Sequence, residues 1–108
     1  MSTITEFNDG SSRMSDNCIF IGGKPFMNYV TGVVMQFTTM NADDVIIKAR
    51  GKFISRAVDV AEVAAKRFLD NAVAVSDIKI DSEGFKTDEG RDVRVSSIEI
   101  TLSKNNRQ

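Results

Sequence analysis

The chain has 108 residues, 42% of them hydrophobic and 27% charged, and its 14 basic side chains face 15 acidic ones for a net charge of -1. This is the balance of one ordinary folded domain, short enough that dimerisation would add useful burial. There is no histidine, which removes the usual acid/base near neutral pH, and the single cysteine, Cys18, excludes an internal disulfide. No apolar run reaches membrane-spanning length, the N-terminus has no signal-peptide core, and the expected compartment is the reducing cytoplasm.

Residues 1–16 are polar, with Gly10, Ser11 and Ser12 in a row, and are expected to form a disordered leader. Folding is expected from Asn17 to Lys104, with a short polar tail over 105–108. Cys18 to Ile21 is continuously apolar, the pattern of a short strand (β1) covered on both faces. Gly22 and Gly23 then allow a turn, and Pro25 suits the first turn of a helix. Phe26, Val30, Val33, Val34 and Phe37 recur at helical spacing, so the first helix (α1) should end near Thr39, before Asn41.

Val45 to Arg50 reads as a second strand (β2), with Val45, Ile47 and Ala49 on one face and Ile46, Lys48 and Arg50 on the other. Gly51 ends it. A second helix (α2) is expected from Lys52 to Phe68, its apolar stripe running through Ile54, Ala57, Val58, Ala61, Ala64, Ala65 and Phe68. The alanines would let it approach a sheet closely.

Val73 to Ile80 (β3) and Val93 to Leu102 (β4) complete the strands. In both the apolar parity switches partway, which predicts a bulge or strong twist near Ser76-Asp77 and near Ser96-Ser97. The polar link from Asp81 to Asp92 reads as a long hairpin arm standing off the body. The order β-α-β-α-β-β is that of an α+β two-layer sandwich: a mixed four-stranded sheet, two helices on one face, and a long β3-β4 arm.

The functional signal is electrostatic. Lys48, Arg50, Lys52 and Arg56 put four cations into nine positions with no acid among them. On a neutral background this is a directed feature suited to a polyanion such as DNA or RNA. Lys52 and Arg56 also sit where a helix N-terminus disfavours cations, which argues for a reason other than helix stability. Lys24 follows a glycine turn and precedes a helix start, an arrangement that faces phosphates elsewhere. Asp43-Asp44 and Asp88-Glu89 lie in turns with no metal-ligand pattern around them, and no nucleophile–base signature appears. Neither an enzymatic role nor a cofactor is expected.

Three segments at matching spacing carry a further reading: Ile21-Gly-Gly-Lys-Pro-Phe-Met-Asn-Tyr29, Ile47-Lys-Ala-Arg-Gly-Lys-Phe-Ile-Ser-Arg-Ala-Val-Asp-Val-Ala-Glu62 and Arg94-Val-Ser-Ser-Ile-Glu-Ile100. Together they resemble the Alba family of archaeal chromatin proteins, over about Asn17 to Lys104. The resemblance implies a homodimer, or a heterodimer with a paralogue, that binds double-stranded DNA and RNA without a cofactor and is associated with the chromosome. It implies phosphate contacts from Lys24, Arg50, Lys52 and Arg56, and groove or backbone contacts from Lys86, Arg91 and Arg94 on the arm. It also implies a dimer–dimer contact at Phe68, for which core packing is an equal rival.

Two departures stand against the family pattern. Gly23 replaces the first loop lysine, the residue acetylated in some members. The arm carries Asp81, Glu83, Asp88, Glu89 and Asp92 among its cations. Both imply weaker or more selective binding. Two alternatives stay open: an RNA-directed role, as a chaperone or ribonucleoprotein subunit, and a protein-interaction scaffold with little affinity for nucleic acid.

Overall fold

The computed structural model describes residues 17–105; the expected leader and all of the tail beyond Asn105 lie outside them. Its elements are β1 (Cys18–Phe20), α1 (Phe26–Thr38), β2 (Asp44–Arg50), a 3-10 turn (Gly51–Phe53), α2 (Ile54–Val63) closing in a π turn (Ala64–Phe68), β3 (Val73–Lys86) and β4 (Asp92–Lys104). The sheet order is β1-β2-β4-β3. β1 pairs parallel with β2, across the α1 crossover that a parallel pair needs, and the other pairs are antiparallel. Two helices lie on one face of this mixed sheet, the α+β sandwich the sequence predicts.

The core lies between that face and the helices. Val45, Ile47 and Ala49 of β2 and Ile100 and Leu102 of β4 meet Val30, Val33 and Phe37 of α1 and Ala57, Val60, Ala61 and Ala64 of α2. Ile47, Leu102, Val30, Val33, Val45 and Val60 are completely enclosed. The opposite sheet face carries the alternate residues, among them Lys48, Arg50 and Glu99, and no layer of the described chain covers it.

Asparagine and aspartate end both helices. Asn41 takes a left-handed φ of 56° after α1, and the Ala42 N–H bonds the Gln36 carbonyl at 2.9 Å. Asp70 and Asn71 do the same after the π turn, where the Asn71 N–H reaches the Ala65 carbonyl at 2.8 Å. Helix α2 therefore departs from the single helix expected over Lys52–Phe68, being tightened at its start and widened at its end. Gly51, at φ +58°, makes the left-handed step that turns β2 into this helix.

Three expectations need correction. The hairpin arm expected over Asp81 to Asp92 is present, but its strands run further than Ile80 and Val93: β3 continues to Lys86 and β4 begins at Asp92, so the arm is a two-stranded ribbon closed by Thr87–Arg91. Its polar composition is what a ribbon wet on both faces requires. The register shifts between Val75 and Asp77, as expected, but pairing is continuous through Ser96 and Ser97. The Ser76 bulge keeps Val73, Val75, Ile78 and Ile80 on the helix side, whereas unbulged β4 sends Val93 and Val95 to the open face. Finally, β1 is an edge strand covered on one face only. Ile19 packs against the core, while Phe20 stands 69% exposed on the open face.

Candidate nucleic-acid interface

Because β1 and β2 run parallel, their C-terminal ends lie side by side, and the Ile21 N–H joins them by bonding the Lys48 carbonyl at 2.9 Å. The chain leaves β1 there as the Gly22–Pro25 loop and leaves β2 as the Gly51–Phe53 turn. Each connection opens a helix with no side-chain cap. Two helix starts without side-chain caps thus face the same end of the sheet, a setting that favours anions.

The first loop is held by Tyr29, a buried residue of α1. Its hydroxyl accepts hydrogen bonds from the backbone N–H groups of Gly22 and Lys24, both at 3.0 Å. From the other side Arg56 donates to the Gly22 carbonyl at 3.1 Å, and its guanidinium lies over the Tyr29 ring at 6.0 Å. The loop backbone is therefore fixed while the Lys24 side chain is exposed to solvent. A Cβ placed on Gly23 would meet nothing within 4 Å, so a lysine would have room to stand there.

Arg50 and Lys52 are exposed on either side of Gly51. Arg50 is the last β2 residue paired with β4, opposite Ser97. Beyond Ser97 the β3–β4 ribbon continues alone, so the arm projects past the same end of the sheet that carries Lys24, Arg50, Lys52 and Arg56. This gives a long body, 54 × 25 × 24 Å. Arg91 begins the return of the arm, with its N–H on the Thr87 hydroxyl at 3.2 Å. Arg94 lies across Gly84, where an added Cβ would come within 3.2 Å of its guanidinium.

Several of these cations have acidic neighbours. Arg50 meets Glu83 at 3.4 Å, Lys86 meets Asp92 at 2.9 Å, and Lys48 meets Glu99 at 3.9 Å. The first two pairs are exposed and the third is half-buried; surface pairs of this kind are worth about 0–1 kcal/mol, so they trim the field without locking the side chains. Phe68 stands apart. α2 runs back from the cationic end, which leaves Phe68 at the far end of the helix and 52% exposed.

Sequence reasoning missed the loop contacts of the Tyr29 hydroxyl and the partner of Arg56 altogether. Gly22 and Arg56 are 34 residues apart, and no local pattern joins them. It also missed the exposure of Phe20, although Lys48 at the paired position of β2 was an available sign that this face is wet.

Comparison with known proteins shows the family and the fold. Residues 17–82 match the Alba family. The chain is 53% identical over 91 residues to "DNA/RNA-binding protein Alba 1" of Archaeoglobus fulgidus, covering 84% of this chain and 99% of that protein. It is 58% identical over 87 residues to "DNA/RNA-binding protein Alba" of Nanoarchaeum equitans, covering 80% and 96%. Among solved structures, Alba from Thermoplasma volcanium superposes with a TM-score of 0.72 at 51% identity, over 82% of this chain and all of that one. ALBA1 from Trypanosoma brucei shares the fold, with a TM-score of 0.62 at 22% identity, over 84% and 71%.

Proposed function

The chain belongs to the Alba family, and we propose that it is an architectural protein that binds double-stranded DNA as a dimer and contributes to chromosome organisation in the cytoplasm. The observation that carries this reading is the meeting of the Lys24 loop, the Arg50–Arg56 turn and the hairpin arm at one end of the sheet. Lys24, Arg50 and Lys52 meet backbone phosphates. Arg56 fixes the loop and adds charge behind it. Lys86, Arg91 and Arg94 on the arm follow the groove. Contacts of this kind position a duplex but read few bases, so little sequence preference is expected.

Dimerisation is supported by the exposed apolar residues of the edge strand. Val75, Ile78 and Ile80 are 44%, 55% and 79% exposed on the side where the helices pack. Such a surface invites a second copy, and a two-fold axis would double the cationic end. A homodimer is the simplest form; a heterodimer with a paralogue would use the same surface. Phe68 offers a separate contact between dimers.

RNA is a second ligand of the same class, because the relatives' names include it and a phosphate cradle serves either polymer. A gel-shift titration at low salt, with duplex DNA and a structured RNA of equal length, tests the reading. Retardation of the duplex, tightened several-fold in Gly23→Lys, is expected. No shift with either polymer would overturn it in favour of a protein-interaction scaffold.

A further inference from the structure

Phe20, Lys48 and Glu99 form a cross-strand row on the open sheet face, and nothing in the duplex reading uses it. Phe20 is a large aromatic left 69% exposed on a strand whose other residues are half-buried. The Lys48 ammonium stands over its ring at 5.5 Å. Beside it opens a cavity of about 380 Å³, lined in part by Phe20, Lys48, Arg50, Phe53, Ser97 and Glu99. The Lys52 ammonium stands 5.4 Å over the ring of Phe53, one of the lining residues. An aromatic platform, flanking cations and a cavity with two polar side chains are thus placed together.

The charges on this face say which part of a nucleic acid fits. Glu99 at 3.9 Å from Lys48 and Glu83 at 3.4 Å from Arg50 break what would otherwise be a cationic track. A continuous run of duplex phosphates is poorly matched to it. A single base is well matched: its ring stacks on an aromatic, its edge meets hydrogen-bonding groups such as Ser97 and Glu99, and its own phosphate needs only one or two nearby cations. A paired base offers no free ring face to the side, so the occupant must be unpaired.

We infer that the open sheet face around Phe20 binds an unpaired nucleobase of single-stranded RNA or DNA, by stacking on Phe20 with its phosphate toward Lys48. This rests on the nucleic-acid-binding reading and adds a second site, distinct from the loop-and-arm seat for the duplex. One chain would then hold a duplex and an adjoining single-stranded segment.

The test compares the full-length protein with Phe20→Ala and Phe20→Trp, using a single-stranded oligonucleotide and the duplex of the same sequence. Phe20→Ala should weaken single-strand binding about tenfold by fluorescence anisotropy and leave duplex binding within about twofold. A thermal melt equal to wild type shows that it folds, as expected for so exposed a side chain. The chain contains no tryptophan, so Phe20→Trp carries a sole indole, whose emission should be quenched by the single strand and not by the duplex. Unchanged single-strand affinity with no quenching, equal losses on both ligands, or a wild type that binds only duplex would each overturn this site. All three leave the duplex reading standing. A wild type that binds neither ligand would remove both.

Discussion

Tyr29 shows how much of this interface is decided by one oxygen atom. Its hydroxyl takes two loop N–H groups and its ring supports Arg56, so loop geometry, α1 and α2 are coupled through a single side chain. Tyr29→Phe keeps the ring but strands two partly buried donors. It is expected to lower the unfolding free energy by about 1–3 kcal/mol in a urea titration. It should also weaken duplex binding several-fold, because Lys24 loses its fixed base. An unchanged affinity would mean that the loop finds its shape without the hydroxyl. Lys24 itself was legible, since glycine, lysine and proline before a helical run declare a turn and a helix start. The clasp beneath it was not, because a contact between Gly22 and Arg56 depends on how two elements dock.

At the scale of elements, periodicity told most of the story. The alternation in β2 placed Val45, Ile47 and Ala49 on the core face, and all three are buried. Parity switching located the Ser76 bulge, but the same signal in β4 has a different cause. There the chain is continuous, and Val93 and Val95 serve the open face of the arm beside Phe85. A parity switch therefore reports a change in which face is apolar, and only pairing reveals whether a bulge makes it. Deleting Ser76 removes the extra residue of the bulge and leaves Val73, Val75, Ile78 and Ile80 at alternate positions of a regular strand, so all four should keep the helix side. Val73 is 3% exposed and should stay buried, so the deletion should cost less than the roughly 2 kcal/mol that exposing it would lose in chemical denaturation. A loss of that size or more would mean that the twist of the bulge is itself needed to seat the strand. In the core Ile47→Ala, at a fully enclosed site, should cost about 2–5 kcal/mol in the same assay.

The whole molecule has a net charge of -1 but a polarised surface, with cations gathered at the carboxyl ends of the parallel strands, while the arm that passes them carries cations and acids together. The cationic block was legible along the chain; its union with Lys24 came only with the parallel pairing of β1 and β2. The apolar edge was not foreseen, because Ile78 and Ile80 have the pattern of an ordinary buried strand until the sheet order makes β3 an edge. Ile80→Lys should shift the protein toward monomer in sedimentation and lower duplex affinity with it, since each copy supplies half of the seat. A dimer unaffected by this change would place the self-contact elsewhere.

The central claim is that localised cations grip phosphates despite the slightly anionic chain. Its most direct test is duplex affinity measured across a salt series for wild type and Lys24→Ala. A log–log plot should fall steeply, by about 0.9 per phosphate contact, and flatten by roughly one such step for each lysine lost in the variant. An affinity independent of salt, or a variant with the wild-type slope, would contradict the account.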